Sequence, residues 1–340
     1  MQDAWRDLAD VPSRFGPAVV TIGNFDGVHL GHQQVLRRAA AAAHADGLQS
    51  VALTFEPHPL TIVAPDRAPQ RLTSLAHKAD LILSLGIGAV VCMRFTEAVA
   101  RLSPREFAER ILAGRLSAKR VLVGENFRFG RRQAGDTHTL RSLGSDLGFA
   151  VECGGTLAVR GEPVSSTRVR GLLREGLVAQ ARRLLGRVFC LRGEVVRGKG
   201  IGSRQTVPTL NLSPDSDVLP ADGVYVTCTR LDDDPQWRKS ITNVGTRPTF
   251  HGRSRTVETY LLQPLKGDPP NALELGFASR VRDERSFPSA ELLKEQIQTD
   301  IGAAERFFRR LCAASAAAGG MGGGAAGSDS APSGSHKGAI

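Results

Sequence analysis

The sequence predicts an α/β domain on a parallel sheet, followed by an antiparallel β domain closed by a C-terminal helix. Three observations carry this. The first half alternates strand-like and helix-like stretches, the texture beyond Leu185 changes to short β-rich runs, and the 340 residues exceed the ~100–200 usual for one domain.

In the first half a strand over Ala18 to Phe25 leads into a helix over Gly31 to Ala45, then a strand over Ser50 to Phe55. A helix over Leu75 to Leu85 and a strand over Ala89 to Phe95 repeat the unit. Two more follow: a helix over Pro104 to Ala113, entered at Ser103-Pro104, a strand over Arg120 to Gly124, and a helix over Thr139 to Leu147. This alternation is the signature of parallel strands joined by crossover helices. The later runs, Val188 to Arg197, Gly223 to Arg230, Lys239 to Val244, Thr256 to Leu262 and Ala272 to Val281, are separated by Gly, Pro and Asp clusters. They favour an antiparallel barrel or sandwich. An amphipathic helix over Ser289 to Leu311 closes the folded part, and the Gly/Ala/Ser tail is too poor in large apolar residues to offset its ordering entropy. The expected divisions are residues 1–184, 185–312 and a disordered 313–340.

Composition sets broad limits. Hydrophobic residues at 41% and charged residues at 23% are ordinary for a soluble globular protein. Five scattered cysteines without a Cys-x-x-Cys pair argue against a zinc site or disulfide framework, and reduced cytoplasmic thiols are expected. Acidic residues near the start and the lack of a ~20-residue apolar run speak against export and membrane insertion. A net charge of +10 suits nucleic acid, but the arginines are scattered and no aromatic ladder accompanies them. Anionic small substrates are preferred, and no nucleic-acid partner is expected.

The chemistry concentrates in Gly23-Asn24-Phe25-Asp26-Gly27-Val28-His29-Leu30-Gly31-His32. The apolar Val19, Val20 and Ile22 run into a glycine-bracketed turn before an alanine-rich helix. Such a turn exposes backbone amides at the carboxyl edge of a parallel sheet, where a helix N-terminus favours anions. His29 and His32 are spaced to project toward one side of the first helical turn and to hydrogen-bond the α-phosphate and departing pyrophosphate of ATP. The segment therefore reads as an ATP-using nucleotidyl-transfer site. Ser165-Ser166-Thr167-Arg168-Val169-Arg170 adds helix-capping hydroxyls, with Arg168 and Arg170 as charge for the β- and γ-phosphates.

In the second half Gly193 to Gly202 is a glycine-spaced strand and loop, including Gly198, that leads to Pro208-Thr209-Leu210-Asn211. Closely spaced glycines admit a polyphosphate to the backbone. Thr209 and Asn211 alternate onto one face of an extended segment, as a joint Mg²⁺ site beside ATP requires, although a polar outer strand face gives the same pattern.

These motifs, with Thr54-Phe55-Glu56-Pro57-His58-Pro59 and Val123 to Gly130, resemble the bacterial bifunctional riboflavin kinase/FAD synthetases over residues 15 to 310. Gly223-Val224-Tyr225, Asn243 to Phe250, Val257-Glu258 and Arg282 to Phe287 extend the resemblance. It implies a Rossmann-like nucleotidylyltransferase domain that adenylylates FMN to FAD and a riboflavin kinase barrel that makes FMN, both with ATP as co-substrate. It also implies that Gly23, Asn24, Phe25, Asp26, Gly27, Asn126, Arg128 and Ser165 to Arg170 bind ATP, and that Phe55, Pro57 and His58 lie near the flavin. On the kinase side it implies Gly198, Gly202, Pro208, Thr209 and Asn211 for MgATP, Glu258 as general base, and Arg282 and Phe287 beside the flavin.

The chain departs from the family's Gly-Arg-x-Leu-Gly-Phe-Pro-Thr-Ala-Asn pattern at Gly202-Ser203-Arg204-Gln205-Thr206-Val207-Pro208-Thr209-Leu210-Asn211, and Tyr260 stands where a histidine is usual. Two other readings follow: FAD synthesis alone beside a silent flavin-binding barrel, or a basic nucleic-acid-binding protein on a nucleotidylyltransferase fold. The sequence leaves the oligomeric state open.

Overall fold

A computed structural model describes residues 3–5, 7–12, 15–155, 157–196, 209–232, 234–249, 252–265 and 268–319. The chain divides into two compact units: residues 1–170 with 184–186 and 216–218, and residues 171–183, 187–215 and 219–340.

The first unit contains β1 (Asp3–Trp5), β2 (Ala18–Ile22), α1 (Leu30–Asp46), β3 (Gln49–Glu56), α2 (Pro59–Val63), α3 (Leu75–Leu83) and β4 (Ala89–Arg94). After it come α4 (Glu97–Ala100), α5 (Pro104–Phe107), which runs on as π-helix over Ala108–Arg115, β5 (Ala118–Gly124), α6 (Thr137–Leu147) and β6 (Ala150–Gly154). A hairpin of β7 (Ala158–Val159) and β8 (Glu162–Pro163) then precedes α7 (Ser166–Arg174), whose first residues belong to this unit.

Strands β1 to β6 form one parallel sheet in the order β1-β4-β3-β2-β5-β6. Alternate residues serve opposite faces. Val20, Ile22, Leu53 and Val121 pack with Phe107, Ile111 and Leu140, whereas Val19, Ala52, Val90 and Leu122 pack with Leu36, Ala39 and Ile82. Helices therefore cover both faces, as the near-continuous apolar strands require. From β2 the chain moves through β3 to β4 on one side and returns to β5 and β6 on the other. This reversal opens a crevice beyond the carboxyl ends of β2 and β5, the usual ligand position in open α/β sheets.

The second unit contains α8 (Val178–Leu185) up to Arg183 and a closed six-stranded barrel. Its strands are β9 (Phe189–Val196), β10 (Leu210–Pro214), β11 (Gly223–Leu231), β12 (Arg238–Thr249), β13 (Gly252–Leu261) and β14 (Ala272–Asp283), in the order β10-β13-β12-β11-β14-β9. Pairing of β9 with β10 completes the circle, so closure rather than a sandwich removes the sheet edges. Helix α9 (Ala290–Gly319) packs Ala304 and Phe308 against the outer face at Val224, Val226 and Ile241. The helix extends beyond the expected end at Leu311 and into the stretch read as tail, and residues 320–340 lie outside the described residues.

Part of the barrel interior is polar. Thr229 Oγ1 donates to Ser240 Oγ at 2.8 Å, Ser240 Oγ lies 2.7 Å from Thr227 Oγ1, and Thr227 Oγ1 lies 2.7 Å from Thr242 Oγ1. Thr242 donates to Thr259 Oγ1 at 2.9 Å, and Thr259 donates to the Ile241 carbonyl at 3.4 Å. All five hydroxyl residues are fully buried, and one direction of donation satisfies the whole chain. Thr227→Val removes the middle link, so the buried Ser240 hydroxyl loses its acceptor and the buried Thr242 hydroxyl loses its donor. It is expected to destabilise the barrel by about 1–3 kcal/mol, read as a lower urea midpoint, and an unchanged midpoint contradicts the assignment.

Candidate active sites

The turn between β2 and α1 lies at the crevice. Phe25, Gly27 and Val28 have φ of +47°, +76° and +39°, so a bulky and a β-branched residue occupy left-handed backbone together with a glycine. Gly27 is needed twice over, because a Cβ there would sit 2.7 Å from Leu72 Cδ1. Phe25 is 2% exposed, and its ring edge abuts His32 at 5.4 Å between centroids. It supports the imidazole and does not face solvent.

His29 caps α1, its Nδ1 accepting the His32 backbone N–H at 3.3 Å. That bond puts the proton of a neutral His29 on Nε2. The two rings stack at 3.6 Å with 16° between planes, so the paired imidazoles stand at the positive end of a 17-residue helix.

Asp26 turns inward. Its carboxylate accepts the backbone N–H groups of Leu72 and Thr73 at 3.0 and 3.2 Å, and Arg170 Nη2 donates to it at 2.5 Å. Arg170 also donates to the Gln70 carbonyl at 2.6 Å and is 6% exposed. Asp26 and Arg170, both expected at the ATP site, are paired with each other in this structure, and the pair ties the turn to the 70–73 segment. Ser166 Oγ donates to the Asp26 carbonyl at 2.9 Å, which brings the Ser165 to Arg170 segment to the turn as expected. Ser165 Oγ accepts the Arg168 N–H at 3.2 Å, Thr167 is exposed, and Arg168 pairs with Glu162 at 3.0 Å.

A cavity of about 710 Å³ adjoins the turn. Gly23, Asn24, Phe55, His58, Asn126 and Arg128 line it, so the structure gathers loops following β2, β3 and β5 in one place. Pro57 is not among the lining residues. Sequence reading missed Phe95, Val99, Phe107 and Phe127, whose side chains make the cavity apolar. Their signal was position, since Phe95 and Phe127 follow the carboxyl ends of β4 and β5. It also missed Lys78, a buried lysine whose Nζ donates to the Asn24 carbonyl at 3.3 Å and whose pKa burial lowers. His58 has its pKa lowered, first by burial and then by the Arg170 and Lys78 charges, against an opposing effect of Asp26.

In the barrel unit Asn211, Glu258 and Asn243 are register partners across β10, β13 and β12. Their neighbours Leu212, Val257, Thr259, Thr242 and Val244 are buried, so the three polar residues share the outer face. Thr209, Asn243, Glu258, Tyr260, Arg282 and Phe287 line a cavity of about 570 Å³ beneath α9. A second cavity of about 1170 Å³ is lined by Thr209, Asn211, Tyr260 and the prolines Pro264, Pro269 and Pro270. The two share Thr209 and Tyr260. Arg282 is committed to Asp300 through Nε and Nη2 at 3.0 and 2.8 Å, while Phe287 lies under the Arg282 and Arg285 guanidiniums at 5.7 and 5.0 Å. Gly198, Gly202 and Pro208, with the altered Gly202 to Val207 loop, lie outside the described residues.

Comparison with known proteins matches a family model described as FAD synthetase to residues 12–168 and one described as riboflavin kinase to residues 185–308. A bifunctional riboflavin kinase/FMN adenylyltransferase of Pseudomonas fluorescens is 37% identical, covering 88% of this chain and 96% of that protein. One of Escherichia coli K12 is 35% identical, covering 85% and 92%. The crystal structure of a protein described as a macrolide-efflux protein of Streptococcus pneumoniae has a TM-score of 0.79 and 25% identity, covering 90% of this chain and 99% of that one. Among the described residues no helix is long and apolar enough to cross a membrane.

The Asp26–Arg170 pair makes a measurable demand. Arg170→Ala leaves a buried carboxylate without its counter-charge, which costs about 3–5 kcal/mol. A lower urea midpoint for the first unit is the expected readout, and wild-type stability with only weakened ATP binding would return Arg170 to a phosphate-binding role.

Proposed function

The chain belongs to the family of bifunctional riboflavin kinase/FMN adenylyltransferases, and we propose that it makes FAD in two steps on its two units. Riboflavin and ATP give FMN and ADP at the barrel; FMN and ATP then give FAD and pyrophosphate at the parallel sheet. The observation that supports the second step is that the turn leading into the start of α1 contributes Gly23 and Asn24 to an aromatic-lined cavity at the sheet's switch point.

In this reading the FMN phosphate attacks the α-phosphorus of ATP, and His29 and His32 donate hydrogen bonds as charge grows on the α-phosphate and the departing pyrophosphate. No covalent intermediate on the chain is needed, because in-line positioning supplies much of the rate. The backbone of the Gly23 to Gly27 turn and the Ser165 to Arg168 helix start face the phosphates. Asn126 and Arg128 serve the nucleotide and flavin, and the isoalloxazine fits the cavity formed by Phe55, Phe95 and Phe127.

At the barrel, Glu258 takes the proton of the ribityl 5′-hydroxyl as that oxygen attacks the γ-phosphorus. What supports this reading is that Asn211, Glu258 and Asn243 form a register row on one face and that Thr209 lines both neighbouring cavities. A Thr hydroxyl and an Asn amide oxygen are hard donors that suit Mg²⁺, which keeps several waters and leans on substrate phosphates. When bound, Mg²⁺ neutralises phosphate charge, and Thr209 and Asn211 would hold it. The free cysteines suit a reducing, cytoplasmic setting.

The division of labour is tested by supplying riboflavin and FMN separately with ATP and Mg²⁺ and separating the products. His29→Ala is expected to cut FAD formation on the order of a hundredfold while sparing FMN formation. Glu258→Ala is expected to do the reverse. Equal loss of both activities in either variant contradicts the assignment, and FAD from FMN without FMN from riboflavin would mean a silent barrel.

A further inference from the structure

Asn24 is gripped at three points. Its carbonyl accepts Thr54 Oγ1 at 3.1 Å and Lys78 Nζ at 3.3 Å, and its side-chain amide nitrogen, Nδ2, lies 3.1 Å from His58 Nε2. His58 Nδ1 is already engaged, accepting the Leu60 N–H at 3.2 Å as the cap of α2.

These contacts decide a tautomer. A neutral imidazole whose Nδ1 accepts carries its proton on Nε2, so the atom facing Nε2 must be an acceptor. The Asn24 amide therefore presents Oδ1 to His58, an orientation reached from its amide nitrogen by a half-turn of the side-chain amide, with the heavy atoms in equivalent positions. Both Nδ2 hydrogens then turn away from His58, on a residue that lines the cavity together with it. Protonation of His58 would set Nδ1–H against the Leu60 N–H. Burial, with the Arg170 and Lys78 charges, lowers the His58 pKa against the opposing Asp26 charge, and this lowering acts in the same direction as the clash.

We propose that His58 is a positioning residue for adenylyl transfer: as the Nε2–H tautomer it fixes the Asn24 amide so that its N–H donors meet a phosphate oxygen of bound substrate. The proposal rests on the adenylyltransferase reading of this unit. It replaces the expectation that His58 contacts the flavin itself, and it gives the Thr54 and Lys78 contacts a shared purpose.

Two measurements on the full chain test it. The ¹⁵N resonances of His58 at pH 7 should show a protonated Nε2 and a bare Nδ1; the opposite tautomer or a cation overturns the proposal whatever the activity. In FAD formation from FMN, His58→Ala should lower kcat about tenfold to a hundredfold, with FMN formation from riboflavin unchanged. His58→Gln, whose amide N–H can reach Asn24, should recover most of the loss. His58→Ser, which restores only the helix cap, should not. Adding His58→Ala to Asn24→Ala should cost little further activity. Rescue by Ser and not Gln, or multiplicative losses in the double variant, would overturn it. A wild-type protein that makes no FAD would instead sink the adenylyltransferase reading, with the resonances still deciding the hydrogen-bond assignment.

Discussion

One buried ion pair organises the adenylyl-transfer site. The Asp26 carboxylate joins the turn after β2 to the 70–73 segment through two backbone N–H groups and to α7 through Arg170. Remove that charge balance and the left-handed backbone at Phe25, Gly27 and Val28 loses its anchor. The carboxylate thus holds in place the turn whose backbone amides and imidazoles are proposed to serve an anionic ligand. A negative group within the turn is compatible with phosphate binding because the Arg170 guanidinium neutralises it away from the surface.

The two units solve the problem of positioning polar groups differently. In the open sheet the site grows from loops at the carboxyl ends of β2, β3 and β5, and its precision comes from side chains that hold those loops: Thr54, Lys78, Asp26 and Arg170. In the barrel the site lies on the outer wall, and Asn211, Glu258 and Asn243 are aligned by strand register itself. The hydroxyl chain behind them occupies the inner face of those same strands at Thr242 and Thr259. Satisfied polar contacts there fix strand registry more specifically than interchangeable apolar packing does.

Much of this was legible in the sequence where chemistry is local. The Gly23 to His32 run shows a strand, a turn and a helix start in consecutive residues, and Thr209 and Asn211, read as sharing a face, line one cavity. Contacts between distant residues were not legible. Asp26 and Arg170 are 144 positions apart, so their pairing with each other was not legible although both were placed at the ATP site. Arg282 and Asp300 belong to a strand and a helix whose packing no local pattern encodes, so their ion pair was not legible. Closure of the barrel depends on β10 pairing with both β9 and β13, which short β-rich runs alone leave open between barrel and sandwich.

The central claim is that the β2–α1 turn and the adjoining aromatic cavity form one site for ATP and FMN. A structure of the protein bound to FMN and a non-hydrolysable ATP analogue tests it most directly. The triphosphate should lie against His29, His32 and the start of α1, with the isoalloxazine between Phe55 and Phe127 and the FMN phosphate directed toward the α-phosphorus. An isoalloxazine bound outside that cavity, or a triphosphate away from both histidines, would contradict the account.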